Sequence, residues 1–164
     1  MPEFISLAIS SFWPMLYAGL VFTIPITLIS FFLGLLLGFI VALIRLYGPA
    51  PLKNVVRFYV WIIRGTPLLV QLFLICYALP SVGITLDAFP AAVIGLTLNV
   101  GAFTSEVIRA TLLSVAKGQW EAAHSIGMSW GQSLRYIILP QAARVAVPPL
   151  SNTFISLVKD TSLA

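Results

Sequence analysis

The sequence predicts an all-α, polytopic membrane bundle, and three observations carry that prediction. Sixty per cent of the 164 residues are hydrophobic and only 9% are charged, against about 25% charged in soluble domains. Mean hydropathy is +1.04, and a soluble fold of ~150 residues buries only ~70% of what its unfolded chain exposes, too little to hide so much apolar surface. The charges also leave long gaps: residues 4–44, 65–86, 88–105 and 145–158 carry none. The first three gaps reach the ~17–25 residues that a helix needs to cross a bilayer. A soluble enzyme, a secreted disulfide scaffold, a disordered tail and a nucleic-acid-binding domain do not fit this pattern.

Met1-Pro2-Glu3 lacks a basic n-region, so no signal peptide is expected. Phe4–Trp13 is too short to span and reads as an interfacial helix or an extended tail. Four spans follow, near Leu16–Ile44, Phe58–Leu79, Phe89–Leu112 and Ala142–Val158. The first is longer than a bilayer requires, so part of it tilts or leaves the membrane. Thr23 and Thr27 beside Pro25 read as local satisfaction of a kink. The second span contains Arg64-Gly65-Thr66-Pro67, in which Gly65 breaks the helix, Thr66 caps it and Pro67 suits a restarted first turn. A helix broken there aims backbone dipoles at a cavity; a plain kink is the alternative. The fourth span is short, its approach is bent by Pro148-Pro149, and Arg144 and Lys159 must snorkel at its ends.

Net charge is +4 and the isoelectric point is about 9.6. In a membrane chain such an excess reflects Lys and Arg held on the cytoplasmic side. Arg45, Lys53, Arg57 and Arg64 cluster around the first connection, and Arg109, Lys117, Arg135 and Arg144 around the third, whereas Pro80–Ala88 has no basic residue. The first and third connections are therefore expected inside and the N-terminus outside. The chain ends at Ala164 just beyond the fourth span, and we expect a further span to follow it.

No catalytic set can be assembled. His124 is the one histidine, Cys76 the one cysteine, and the acids number five. No phosphate-binding glycine loop, metal site or nucleophile–base–acid set is available, so no catalytic residue, metal or resident cofactor is expected. Energy for any uphill process must come from a partner or an ion gradient.

The segment 117–140, KGQWEAAHSIGMSWGQSLRYIILP, is the most distinctive. Gly118 is expected to end the third span's helix, 119–123 to form a short helix, Gly127 to turn sharply with φ > 0, and Ser129 to cap a second helix. Pro140 marks a kink or boundary before the fourth span. Such a knob suits docking of a partner, or lies as an amphipathic loop on the membrane. Glu121, Ala122, Ala123, Gly127, Ile137, Leu139 and Pro140 also reproduce the spacing EAA---G---------I-LP. That motif resembles the permeases of ATP-binding-cassette (ABC) importers. Arg64-Gly65-Thr66-Pro67-Leu68-Leu69-Val70-Gln71 and Lys159-Asp160-Thr161-Ser162-Leu163 resemble the polar-amino-acid branch of that family. Lys117-Gly118-Gln119-Trp120-Glu121 and Pro140-Gln141-Ala142-Ala143-Arg144-Val145-Ala146 are most similar to its L-cystine permeases, and the likeness runs from about Ser6 to Ala164.

The resemblance implies one transmembrane permease domain over 1–164 with an importer-type fold and a fifth span missing from this sequence. It implies that 117–140 is a cytoplasmic coupling loop, with Glu121, Ala122, Ala123 and Gly127 meeting an ATP-binding subunit that uses ATP and magnesium. It implies an extracytoplasmic substrate-binding protein, a second permease copy or paralogue, a bacterial inner membrane and ATP-driven amino-acid import, with no hydrolysis by this chain. No role carries over to His124. Polar residues within the spans nominate a route: Gln71, Asn99, Glu106, Asn152, Thr153 and Ser156. Glu106 either receives a substrate ammonium or merely pairs with Arg109, three residues on. Thr153 and Ser156 equally suit bonds to their own helix carbonyls. Two other classes stay open: an ion-coupled secondary carrier, which needs deep acids and inverted repeats, and a non-transporting membrane scaffold, which needs no polar route.

Overall fold

The computed structural model describes residues 2–163, and among them every regular element is helical. The order is α1 (Pro2–Ala18), α2 (Ile24–Tyr47), α3 (Ala50–Gly65), α4 (Leu68–Phe73), α5 (Leu79–Ser81), α6 (Ala88–Ser114), α7 (Lys117–Ser125), α8 (Trp130–Ser133) and α9 (Leu139–Asp160).

Three five-residue π-helical turns join elements into longer rods: Gly19–Thr23 before α2, Leu74–Ala78 before α5 and Leu134–Ile138 before α9. Each ends two residues before a proline: Pro25, Pro80 and Pro140. A proline ring collides with the carbonyl four residues back and supplies no N–H. That carbonyl belongs to Val21, Cys76 or Tyr136, each inside its wide turn. Widening the turn lets the rod continue past the proline instead of breaking.

The core is the seam between α2 and α6. On α2 the buried residues Ile26, Ser30, Gly34, Gly38 and Ala42 recur every four positions, a ridge that suits close helix packing. A Cβ on Gly34 would stand 2.6 Å from Val100 Cγ1, and one on Gly38 would stand 2.0 Å from Thr104 Oγ1. Small residues at such contacts let two backbones approach in lipid, where apolar burial gives no drive for association. Leu157 of α9 joins Ile26, Ala92, Leu96 and Val100 in one cluster, and Val56 and Val60 of α3 join Val41 and Ala102 in another.

The spans differ from the sequence expectation in three ways. One continuous helix, Ser10–Tyr47, covers the expected first span, so the segment before Leu16 is helical, not an extended tail. The second expected span is two helices, Ala50–Gly65 and Leu68–Ser81, bent by 109°. The third, Ala88–Ser114, matches its expected bounds within two residues. The fourth helix is long enough at 22 residues, but among the described residues only Ser10–Tyr47 and Ala88–Ser114 are both long and apolar enough to cross singly, which gives up to three spans if the bent pair counts as one. Arg144, Gln141, Asn152 and three prolines lower the hydropathy of α9.

Candidate functional site

The 117–140 segment is built by local signals. α6 stops at Ser114, Val115 and Ala116 are extended, and α7 begins at Lys117, so Gly118 lies inside a helix and does not end the preceding one. Gly127 takes φ +80°. Its N–H donates to His124 O at 2.9 Å while Met128 N–H donates to Ala123 O at 3.1 Å. Those two bonds form a Schellman cap, which favours glycine at this position. Ser129 then caps α8: Gln132 N–H donates to Ser129 Oγ at 3.4 Å and Ser129 N–H to Gln132 Oε1 at 2.9 Å, the reciprocal pair of a capping box.

Aromatic rings fasten this knob to the bundle. Tyr47, ending α2, meets Trp130 edge-on at 4.7 Å between centroids. Trp130 stacks on Trp120 at 6.1 Å and 24°, and His124 meets Trp120 at 6.3 Å. Trp120 also packs on the cluster of Ala42, Ile108, Leu112, Leu134, Ile138 and Ala142. Of the motif residues, Ala123 is fully buried, whereas Glu121, Ala122 and Gly127 are exposed on the outer face.

The break between α3 and α4 is stapled by side chains. Thr66 Oγ1 donates backward to Ile62 O at 3.0 Å, so it closes α3 and does not cap α4. Pro67 precedes α4 rather than lying in its first turn. Gln71 is buried, and its Nε2 donates to Ile63 O at 2.7 Å and to Thr66 O at 3.0 Å. Asn99 Nδ2 on α6 donates to Gln71 Oε1 at 3.1 Å. Carbonyls orphaned at the end of α3 are thus satisfied inside the bundle. Thr27, expected to bond locally near Pro25, instead has a buried hydroxyl with no partner.

A cavity of about 420 Å³ opens beside this staple, within the ~300–1,000 Å³ of small-molecule sites. Asn99, Asn152, Thr153 and Ser156 line it, so four of the six nominated polar residues converge on one space. Gln71 and Glu106 are not among its lining residues: Gln71 stands behind Asn99, and Glu106 one helical turn beyond Phe103. Thr66, Phe103 and Asp160 also line it. Asp160 continues the spacing of Asn152 and Ser156 at every fourth residue, a signal legible in the sequence. Glu106 itself accepts from Arg45 of α2 and, at 3.0 Å, from Arg109, with Arg64 at 3.7 Å. The Arg109 contact follows from helix spacing; those with Arg45 and Arg64 join distant segments and carry no local signal.

Known proteins resemble this chain in sequence and in fold. The chain is 59% identical over 154 residues to the L-cystine transport system permease protein TcyB of Bacillus subtilis (strain 168), covering 94% of this chain and 66% of that protein. It is 43% identical over 158 residues to the probable amino-acid ABC transporter permease protein YckA of the same organism, covering 96% and 70%. The chain thus spans about two thirds of the length of the curated relatives it matches. A crystal structure of an amino acid ABC transporter with histidines superposes with a TM-score of 0.86 at 39% identity, over 96% of this chain and 73% of that one. An inward-facing MetNI methionine ABC transporter superposes with a TM-score of 0.73 at 27% identity, over 92% and 74%. The sequence profile of one family, described as the binding-protein-dependent transport system inner membrane component, matches residues 34–164, from the glycine ridge of α2 through the 117–140 knob to α9. A helical membrane bundle with this seam, knob and profile belongs to that family of inner membrane transport components.

Proposed function

We propose that this chain is the permease of an ATP-driven importer of polar amino acids, with L-cystine as the substrate that its similarity to TcyB favours. The observation that carries the reading is the knob formed by α7 and α8. It places Glu121, Ala122 and Gly127 on an exposed face while Ala123 is buried and Trp120 and Trp130 tie it to α2, α6 and α9. Small exposed residues admit close packing against a partner, and rigid attachment lets motion at that partner reach the spans. The partner in this reading is an ATP-binding subunit, which brings ATP and magnesium; this chain performs no hydrolysis.

The cavity bounded by Asn99, Asn152, Thr153 and Ser156 is read as the chain's share of the route. Gln71 supports that wall from behind, and Glu106 serves the ion cluster at its edge. The bundle is too small to enclose a path alone, so a second permease copy or paralogue completes it, and an extracytoplasmic binding protein delivers substrate. The N-terminus lies outside and the knob inside.

Reconstitution of the permease with its ATP-binding and substrate-binding proteins in vesicles tests the reading. ATP-dependent uptake of labelled L-cystine, and ATPase activity stimulated by the loaded binding protein, are expected. Uptake driven by a proton or sodium gradient without ATP would overturn it in favour of a secondary carrier.

A further inference from the structure

The carboxylate of Glu106 is outnumbered. Arg109 grips Oε2 with both Nε and Nη2 at 3.0 Å, and Arg45 donates to Oε1. Arg64 is the third guanidinium, at 3.7 Å from Oε1 and 44% exposed. These three contacts are the ion pairs found among the described residues. Three positive groups therefore share one negative group, in a chain where only 9% of residues are charged.

The surplus charge sits beside the polar cavity. Arg64 closes α3 two residues before Thr66, and its guanidinium lies 5.3 Å over the Phe103 ring. Thr66 and Phe103 both line the cavity. Along α6, Asn99, Phe103 and Glu106 occupy one face at steps of four and three residues. A single aromatic ring thus separates the cavity from the cationic cluster.

We infer that Arg64 forms a carboxylate subsite for the transported amino acid at this end of the cavity, an inference that rests on the transport reading above. Arg64 is the most loosely held member of the trio: turning it toward a ligand leaves Glu106 satisfied by Arg45 and Arg109. Its planar fork matches a carboxylate with two parallel N–H donors. Glu106 acts as a positioning residue that holds the other two guanidiniums and leaves a net positive edge. It is saturated by cations, which removes it as a receiver of the substrate's ammonium group.

The test uses the purified transporter complex in detergent, without binding protein, and two probes: L-cystine and its bis-amide, in which both carboxylates are neutral amides. The wild type is expected to prefer L-cystine by about tenfold or more, the scale of a charge-assisted hydrogen bond. Arg64→Gln should lower L-cystine affinity about tenfold and leave the bis-amide within about twofold, erasing the preference. Arg64→Lys, which keeps charge and loses the fork, should retain part of the preference, and it carries the test if the glutamine variant does not assemble. Equal losses for both probes would assign Arg64 a structural role and overturn the subsite. Unchanged binding of both would overturn it as well, as expected if the guanidinium serves a lipid phosphate instead. Wild-type complex that binds neither probe would sink the transport reading itself; wild-type binding with an unaffected glutamine variant sinks the subsite alone.

Discussion

At the residue scale, contact distance decides which positions tolerate change. Gly38 faces α6 so closely that a new Cβ would meet not only Thr104 Oγ1 at 2.0 Å but also the backbone, Gly101 O and Ser105 N, at 3.0 Å. The hydroxyl can rotate away; the backbone cannot. Gly38→Leu is therefore expected to cost the ~1–3 kcal/mol of overpacking or more, read as a lowered melting temperature of the detergent-solubilised protein. Gly19→Ala is the matched control, because no heavy atom outside the local helix lies within 4 Å of its added Cβ; a melting temperature that falls equally would refute the seam argument. Gln71→Leu tests the staple in the same assay. It removes the side-chain donor of Thr66 O and leaves Ile63 O only the longer bond from Thr66 Oγ1 at 3.5 Å, at ~1–3 kcal/mol per buried unsatisfied group. Asn99→Asp weakens the same link by removing the donor to Gln71 Oε1. The repeat Gly34-x-x-x-Gly38 is a packing signal present in the sequence that a reading by charge gaps passes over. The staple has no such signal: a polar residue in a span looks the same whether it faces a route or a neighbour's carbonyl, and only the 109° bend brings Gln71 back onto α3.

At the element scale, the 117–140 knob separates what short-range chemistry encodes from what packing adds. The turn at Gly127 and the cap at Ser129 follow from nearest neighbours in sequence, so both were readable before any fold was known. The ring column from Tyr47 through Trp130 to Trp120 was not, because its members come from distant segments. Nor was the extended link at Val115 and Ala116, since Gly118 offers an equally good stop by local rules. These two layers predict different phenotypes. Gly127→Val places a β-branched residue at φ +80° with open space around it, so the penalty of ~1–3 kcal/mol is backbone strain confined to the knob. Uptake should fall while membrane insertion is kept. Trp130→Ala leaves that turn intact and severs the column. Its ATPase activity with partner subunits should persist while uptake per ATP drops severalfold, and Trp130→Phe should restore most of it. Parallel loss of both activities in Trp130→Ala would mean that the column folds the knob and does not transmit through it.

At the scale of the whole molecule, charge and contact agree on which end is which. Tyr47 touches Trp130, and Lys53 Nζ donates to Leu46 O at 3.1 Å. The basic connection after α2 and the basic 117–140 knob therefore share one end of the bundle. The other connection, Pro80–Ala88, has no basic residue and carries Asp87. α6 separates the two ends by 27 residues, about 40 Å at ~1.5 Å per residue, enough to cross a membrane. By the positive-inside rule this asymmetry predicts a knob that faces the cytoplasm, the side on which the proposed nucleotide-hydrolysing partner would find its substrate. Cys76 is the only cysteine, so a Cys76→Ser background permits a direct measurement. Ile126→Cys probes the knob at a residue 76% exposed, and Thr85→Cys probes the exposed opposite connection. A membrane-impermeant maleimide should label Thr85→Cys in intact cells and Ile126→Cys only after permeabilisation. The reverse pattern would place the knob beyond reach of any cytoplasmic ATP-binding subunit, and the importer reading would fall however well the motif matches.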